Sequence, residues 1–284
     1  MTGLSRRAPA EAAAGYRHVC CDLLDAGKTS QVVRAMRPEV VIHAQAASDV
    51  DTCEREPDTA QAQNVQTVEH LVRALEGTAA LFVYVSTDYV FDGLKGSPYD
   101  EACEPRPISV YGRSKLAGER AALQHPYSVV VRPSTLFGPG RMNFCDAVAQ
   151  RAREGRAIEA FLDQTTSPTY TMDVAEGLGE LIRALAAGRS TGPSRVYHLT
   201  NAGACTRVAF AYRIVDLLGY PRSCVRPIRM AEQKRPAPRP PYSALTTTEL
   251  PKVIGRGLRP WEDALGEYLQ QGHPFDSAQD GVPR

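Results

Sequence analysis

Cysteine is scarce and unpaired in pattern. The seven residues, Cys20, Cys21, Cys53, Cys103, Cys145, Cys205 and Cys224, are odd in number and contain no CxxC. That argues against a disulfide framework and against a thiolate zinc site, and makes a reducing cytoplasm the expected location. No apolar run approaches the roughly 20 residues that span a bilayer. Met1 is followed by Arg6, Arg7 and Pro9, not by an apolar signal segment. Charge of one sign is also missing: 33 basic and 32 acidic residues leave a formal net charge of +1. No basic stripe with interleaved aromatics is present, so nucleic-acid binding is not expected. His43 follows an apolar run and reads as a packing histidine, and the other histidines show no metal spacing. No metal site is therefore expected. Internal repeats and low-complexity tails are absent as well.

What is present is an ordinary globular composition, 43% hydrophobic and 23% charged over 284 residues, enough for one large or two modest domains. Short Val- and Ile-rich runs at 39–46, 81–87 and 128–134 read as buried strands. Helical patterns lie between and after them, at 30–36, 57–75, 110–123, 143–154, 172–188, 206–219 and 261–271. Alternation of this kind predicts an α/β fold, a doubly wound parallel sheet covered on both faces. Ligands in such sheets bind beyond the carboxyl ends of the strands. The stretch 235–243, RPAPRPPYS, is too rich in proline for a helix or central strand and reads as an ordered loop.

One stretch carries chemistry. SVYGRSKLAGE, residues 109–119, sets Tyr111 and Lys115 four apart at the head of a helix, hence on one face. A phenol, with a pKa of about 10, is a poor acid–base group at neutral pH. A neighbouring ammonium favours the phenolate and lowers that value. The pair then suits protonation of a carbonyl oxygen that is receiving hydride. A hydroxyl at a strand end would orient that oxygen, and STDYVFDG (86–93) offers Thr87, with Ser86 in reserve. Taken alone, this Tyr–Lys spacing is more often a chance pair on a solvated helix face. The hydroxyl and the parallel sheet are what lift it.

Hydroxyl at a strand end, then YxxxK on the next helix, resembles the extended branch of the short-chain dehydrogenase/reductases. RPEVVIHAQAASDVDTCEREPDTAQAQNV, STDYVFDG, PYDE, PISVYGRSKLAGE, VVRPSTLFG, NF, DQTTSPTYTMDVA, YHLTNAG and RPPYSAL occur in that order, over roughly residues 17–270. Together they are similar to the dTDP-4-dehydrorhamnose reductase family. The resemblance implies a Rossmann-like dinucleotide-binding domain over 1–140. It also implies a smaller, mainly substrate-binding domain over 141–284, with some segments returning to the first. The implied activity is NADPH-dependent reduction of the 4-keto group of a nucleotide-activated deoxysugar such as dTDP-4-dehydro-L-rhamnose, with NAD as the alternative cofactor. Thr87, Tyr111 and Lys115 become the catalytic set, Lys115 also holding the nicotinamide ribose. Asp22 and Leu23 match the segment along adenine, and Ala44, Gln45 and Ala46 the strand end beside the riboses. Gln45 departs from the family's alanine run. Arg132, Pro133 and Ser134 match the nicotinamide edge. Ser86, Asp88, Asn143, Phe144, Gln164, Thr169 and Arg239 match the sugar-nucleotide side, as does Pro168, although Phe144 and Pro168 suit ordinary packing equally well. Tyr89 and Asn64 also follow the family pattern. Asp100 and Glu101, by contrast, read as a solvated loop. A homodimer is the assembly the resemblance brings into view.

The glycine-rich strand–turn–helix that receives a pyrophosphate is missing. Gly3 has no further glycine at motif spacing, and Pro9 with EAAAG does not rebuild the unit. GLSRR reads instead as the tail of a second strand, an N-terminally incomplete Rossmann-like arrangement. Ser5, Arg6 and Arg7 would then face the adenosine ribose, and arginines there suit the 2′-phosphate of NADP. The other reading is a frayed basic terminus. A non-catalytic regulatory or sugar-nucleotide-binding subunit, resembling the β subunit of methionine adenosyltransferase, is the alternative function.

Overall fold

The computed structural model describes residues 1–7, 16–188 and 195–271. Two compact units emerge, each assembled from two stretches of chain: Met1–Ser86 with Pro107–Val131, and Thr87–Arg106 with the chain from Arg132 onward. The chain divides at 131/132, where the expected boundary stood at 140, and 87–106 groups with the second unit.

The first unit opens with β1 (Thr2–Ser5) and β2 (Arg17–Cys20), which pair in parallel. GLSRR is therefore a strand end, as expected. β2, whose short RHVC has no sustained apolar run, has no counterpart among the expected strands. Helix α1 (Ala26–Met36) follows, capped by Asp25 accepting from the Lys28 amide at 2.9 Å. β3 (Val40–His43), β4 (Leu81–Val85) and β5 (Ser128–Arg132) form the expected parallel sheet in the order β3–β4–β5. Their Val-rich sequences suit strands covered on both faces, and Phe82, Val83, Tyr84 and Val130 are fully buried.

β1 does not reach this sheet among the described residues. A groove of about 270 Å³ separates them, lined by Thr2, Gly3 and Leu4 on one side and Val40–His43 on the other. Ile42, on the β3 edge, is 49% exposed.

The helical stretch expected at 57–75 proves composite. α2 (Val50–Arg55) precedes α3 (Pro57–Gln61), a π-helical segment over Ala62–Gln66 and α4 (Thr67–Ala74). The π segment turns Asn64 inward. Its amide donates to the Ala47 carbonyl (3.1 Å) and to Ser114 Oγ (2.9 Å), and its carbonyl accepts from the Ala47 amide (2.8 Å). Such single-turn bulges concentrate at functional sites. Helix α5 (Val110–Ala122) lies against it.

The second unit contains β6 (Leu136–Phe137), α6 (Phe144–Arg153), β7 (Ile158–Phe161), β8 (Thr165–Thr166), β9 (Thr169–Tyr170), α7 (Thr171–Ala186), β10 (Val196–His198), β11 (Cys205–Thr206), α8 (Arg207–Leu217), β12 (Val225–Ile228), α9 (Leu250–Ile254) and α10 (Trp261–Gln270). β7 pairs with β12 and β6 with β9 in parallel, and β8 with β11 antiparallel. Phe137, Ile158, Tyr170, Phe210, Ile214, Trp261 and Leu265 lead its core. The stretch 235–243 is a loop, as expected.

Candidate active site

Helix α5 starts where it does because Ser109 caps it, accepting from the Gly112 amide at 3.1 Å, and because Glu54 accepts from the Val110 amide at 2.9 Å. Tyr111 and Lys115 fall on its inner face. Tyr111 is half-buried; Lys115 is only 2% exposed. The Lys115 ammonium donates to the Val85 carbonyl at the end of β4 (2.7 Å) and sits 4.2 Å from the centroid of the Tyr84 ring. Burial pulls its pKa down to about 7, with Glu119 acting in the opposite direction. Tyr84 is itself buried, and its hydroxyl reaches the Asn64 and Lys115 carbonyls at 3.4 Å each. Gly118 permits this closeness: a Cβ there would meet Tyr84 Oη at 2.3 Å and the Asn64 carbonyl at 2.4 Å.

Ser86, expected on the substrate side, gives its hydroxyl to the buried Glu119 carboxylate at 2.5 Å. His43 is the packing histidine the sequence suggests. It is stacked near Phe82 and Tyr84, its Nε2 lies 3.3 Å from Thr67 Oγ1, and burial, with the Lys115 charge second, lowers its pKa to about 3.

The residues expected to hold adenosine converge. Ser5, Arg6, Arg7, Asp22, Leu23 and Gln45 line one cavity of about 570 Å³, with Gln63 closing it. Gln45 donates to Gln63 at 2.6 Å, so the departure from the family's alanine run anchors a wall of this cavity. Ala44 lines the neighbouring groove; Ala46 is half-buried beside them in sequence.

In the second unit, Thr87 is 7% exposed; its Oγ1 accepts from the Tyr89 amide (3.2 Å) and donates to Asp88 (3.1 Å). Asp88 is buried and also accepts from Ser134 (2.8 Å) and Ser243 (2.6 Å). Burial raises its pKa while the hydroxyl bonds oppose that rise. Pro133 accepts from the Asp88 amide at 3.0 Å, and Arg132 is buried 5.3 Å from the Phe91 ring centroid. Several residues matched to the sugar-nucleotide side also make structural contacts. Asn143 caps α6 in a reciprocal box with Asp146, Phe144 stacks on Phe210, and Thr169, fully buried, bonds the Ser167 carbonyl at 3.0 Å. Gln164 and Arg239 do share an environment: both act on the Tyr89 phenol.

Arg207 joins that group without any sequence signal. It lies 4.7 Å from the Phe144 ring centroid, next to Tyr89 and Asp88, and its buried Nη1 has no hydrogen-bond partner among the described residues. Glu101, read as solvated, instead anchors backbone: it accepts from the His198, Thr248 and Glu249 amides. Among the described residues no cluster could hold a metal ion, and no helix is long and apolar enough to cross a membrane.

Comparison with known proteins settles the lineage. Residues 3–273 match the family described as the RmlD substrate binding domain. The chain belongs to the dTDP-4-dehydrorhamnose reductase family. A dTDP-4-dehydrorhamnose reductase of Streptomyces griseus is 37% identical over 266 residues, 93% of this chain and 86% of the relative. A probable dTDP-4,6-dihydroxy-2-methyloxan-3-one 4-ketoreductase of Streptomyces antibioticus is 35% identical over 272 residues, 93% and 88% of the two chains. Among solved structures, the dTDP-4-dehydrorhamnose reductase of Bacillus anthracis in complex with NADP superposes with a TM-score of 0.82 at 30% identity, covering 90% of each chain. Family membership accounts for the order of the motifs and for the Rossmann-like α/β architecture.

Proposed function

We propose that this chain is an NADPH-dependent reductase of the 4-keto group of a dTDP-activated deoxysugar, of the dTDP-4-dehydro-L-rhamnose type. The observation that carries the reading is Lys115, buried and held by the Val85 carbonyl, four residues along α5 from Tyr111. A phenol so placed can donate a proton while the nearby ammonium favours the phenolate left behind. Thr87 takes the role of hydrogen-bonding the carbonyl oxygen.

The cavity at β1 and β2 fits the adenosine end of the cofactor. Its two guanidinium groups can pair bidentately with a phosphate, which neutral polar walls could not do. When bound, NADPH supplies the hydride. Ser5, Arg6, Arg7, Asp22, Leu23 and Gln45 would hold its adenosine end, and Lys115 the nicotinamide ribose. Arg207, Arg239 and Gln164 favour an anionic ligand in the second unit, consistent with a sugar nucleotide. A cytoplasmic location and a homodimer complete the proposal.

The test is turnover of dTDP-4-dehydro-L-rhamnose, followed by NADPH absorbance, in wild type and Tyr111→Phe. The variant should lose about 10²–10⁴-fold in kcat, the usual span for a general acid, with KM nearly unchanged. Near-normal turnover in Tyr111→Phe would refute the assignment. A wild-type chain that binds the sugar nucleotide without turning it over would favour the regulatory-subunit reading.

A further inference from the structure

We propose that Glu119 is a positioning residue that holds the positive charge on Lys115, with Ser86 fixing its carboxylate in place. The proposal rests on Tyr111 and Lys115 acting as the acid pair.

The contacts made by Lys115 show why a counter-charge is needed. Its ammonium is all but excluded from water, and its contacts are a carbonyl at 2.7 Å and the face of Tyr84 at 4.2 Å. Both are attractive to a cation, yet neither carries a charge. An ammonium in such surroundings tends to shed its proton, because burial penalises the charged form. That tendency is visible in the fall of the Lys115 pKa to about 7, and Glu119 opposes it. The titratable groups around the ammonium come from three elements. β3 contributes His43, which burial keeps neutral with a pKa of about 3. β4 contributes Tyr84, whose phenol burial pushes well above its usual value. α5 itself contributes Glu119, and it carries Tyr111 one turn before Lys115, where it acts on Tyr84. Of these groups, Glu119 alone is a carboxylic acid.

Geometry supports the assignment. Residues four apart share a helix face, so Tyr111, Lys115 and Glu119 form a ladder along the inner side of α5. Glu119 is 2% exposed, and its Oε1 accepts from Ser86 Oγ at 2.5 Å. Ser86 is fixed in turn, its amide donating to the Val131 carbonyl at 2.7 Å. A carboxylate so restrained acts on Lys115 from one position. Loss of its charge would leave the ammonium to its desolvated surroundings, and the phenolate formed at Tyr111 would lose its stabilising partner.

The experiment reads Lys115 directly. Chain labelled with ¹³C at lysine Cε is titrated by NMR, the Lys115 signal being assigned by its loss in Lys115→Met. Glu119→Gln keeps the shape and removes the charge. The Lys115 midpoint should fall by about one unit or more, the usual effect of an opposite charge at close range. The alkaline limb of the kcat–pH profile should move down by the same amount, while KM stays near the wild-type value. Ser86→Ala should shift both in the same direction by less, and Glu119→Asp should restore part of the shift. If Glu119→Gln does not fold, Ser86→Ala still reads the midpoint. An unchanged Lys115 midpoint in the folded variants overturns the proposal. A lowered midpoint in a chain whose wild type has no turnover at any pH supports the electrostatic role and refutes the assigned reaction instead.

Discussion

His43 should make this fold sensitive to acid in a way that can be isolated. Its imidazole is 3% exposed, stacked near Phe82 and Tyr84, and within 3.3 Å of the Thr67 hydroxyl. Burial, with Lys115 as a second cause, lowers its pKa from 6.5 to about 3. Between those values the unfolded chain carries a proton that the folded chain refuses. Unfolding therefore takes up a proton, and stability falls as pH drops below 6.5; above that pH the group has no effect. The slope is about 1.4 kcal/mol per pH unit, and the whole window amounts to an upper limit of about 5 kcal/mol. That is comparable with the full stability of many domains. His43→Gln keeps an amide that can bond to Thr67 and removes the titration. Urea melts of both proteins at pH 7, 6 and 5 then give the difference, other titrating groups cancelling. The variant should be the less stable at pH 7, and the gap should close by roughly 1 kcal/mol or more for each unit below 6.5. Parallel stability curves would show that His43 is hydrated or charged in the folded state, and the reasoning would fail.

Two further outcomes can be checked independently. Gly118→Ala would ordinarily stabilise a helix by up to about 1 kcal/mol, but its Cβ would lie 2.4 Å from the Asn64 carbonyl, a backbone atom that cannot move aside. A net loss of about 1–3 kcal/mol is expected from thermal or urea unfolding, and a stabilised variant would contradict the packing of α5. Arg6→Ala with Arg7→Ala should weaken binding of 2′-phosphorylated adenosine at least tenfold by calorimetry and leave 5′-AMP nearly unchanged, each charged hydrogen bond being worth about 1.5–3 kcal/mol. Equal losses for both ligands would move these arginines away from the 2′-phosphate.

The parts of the fold that were legible are those with a strong local pattern. The Val-rich strands and the amphipathic helices were found to within a few residues, because continuous apolar runs and helical periodicity are properties of short windows. β2 escaped because RHVC is short and half-polar and is held by pairing with β1. The break of the 57–75 helix escaped because a π turn has no composition of its own. At the site, Tyr111 and Lys115 were legible through spacing. Glu119 was not, since its partner Ser86 lies 33 residues away and only tertiary packing joins them. Arg207 was hidden for a similar reason: an arginine at the first position of a helix looks solvated until Phe144 is found beneath it. Asn143, matched to the sugar-nucleotide side, also caps α6, a role that the motif match did not carry.

The discontinuous build of the first unit has a consequence for synthesis. Its last stretch, Pro107–Val131, supplies α5 and β5, and it follows an excursion, Thr87–Arg106, that belongs to the other unit. A ribosome making this chain at about 5–20 residues per second leaves β3 and β4 without β5 for seconds after both have emerged. During that interval β4 lacks its β5 partner, and Tyr84 lacks Lys115 and Gly118 of α5, which pack against its ring. Nascent chains stalled between Val85 and Val131 should therefore be the ones that engage chaperones. Fusions or truncations ending in that window should be recovered as aggregates, whereas those extending past it can close the sheet of the first unit.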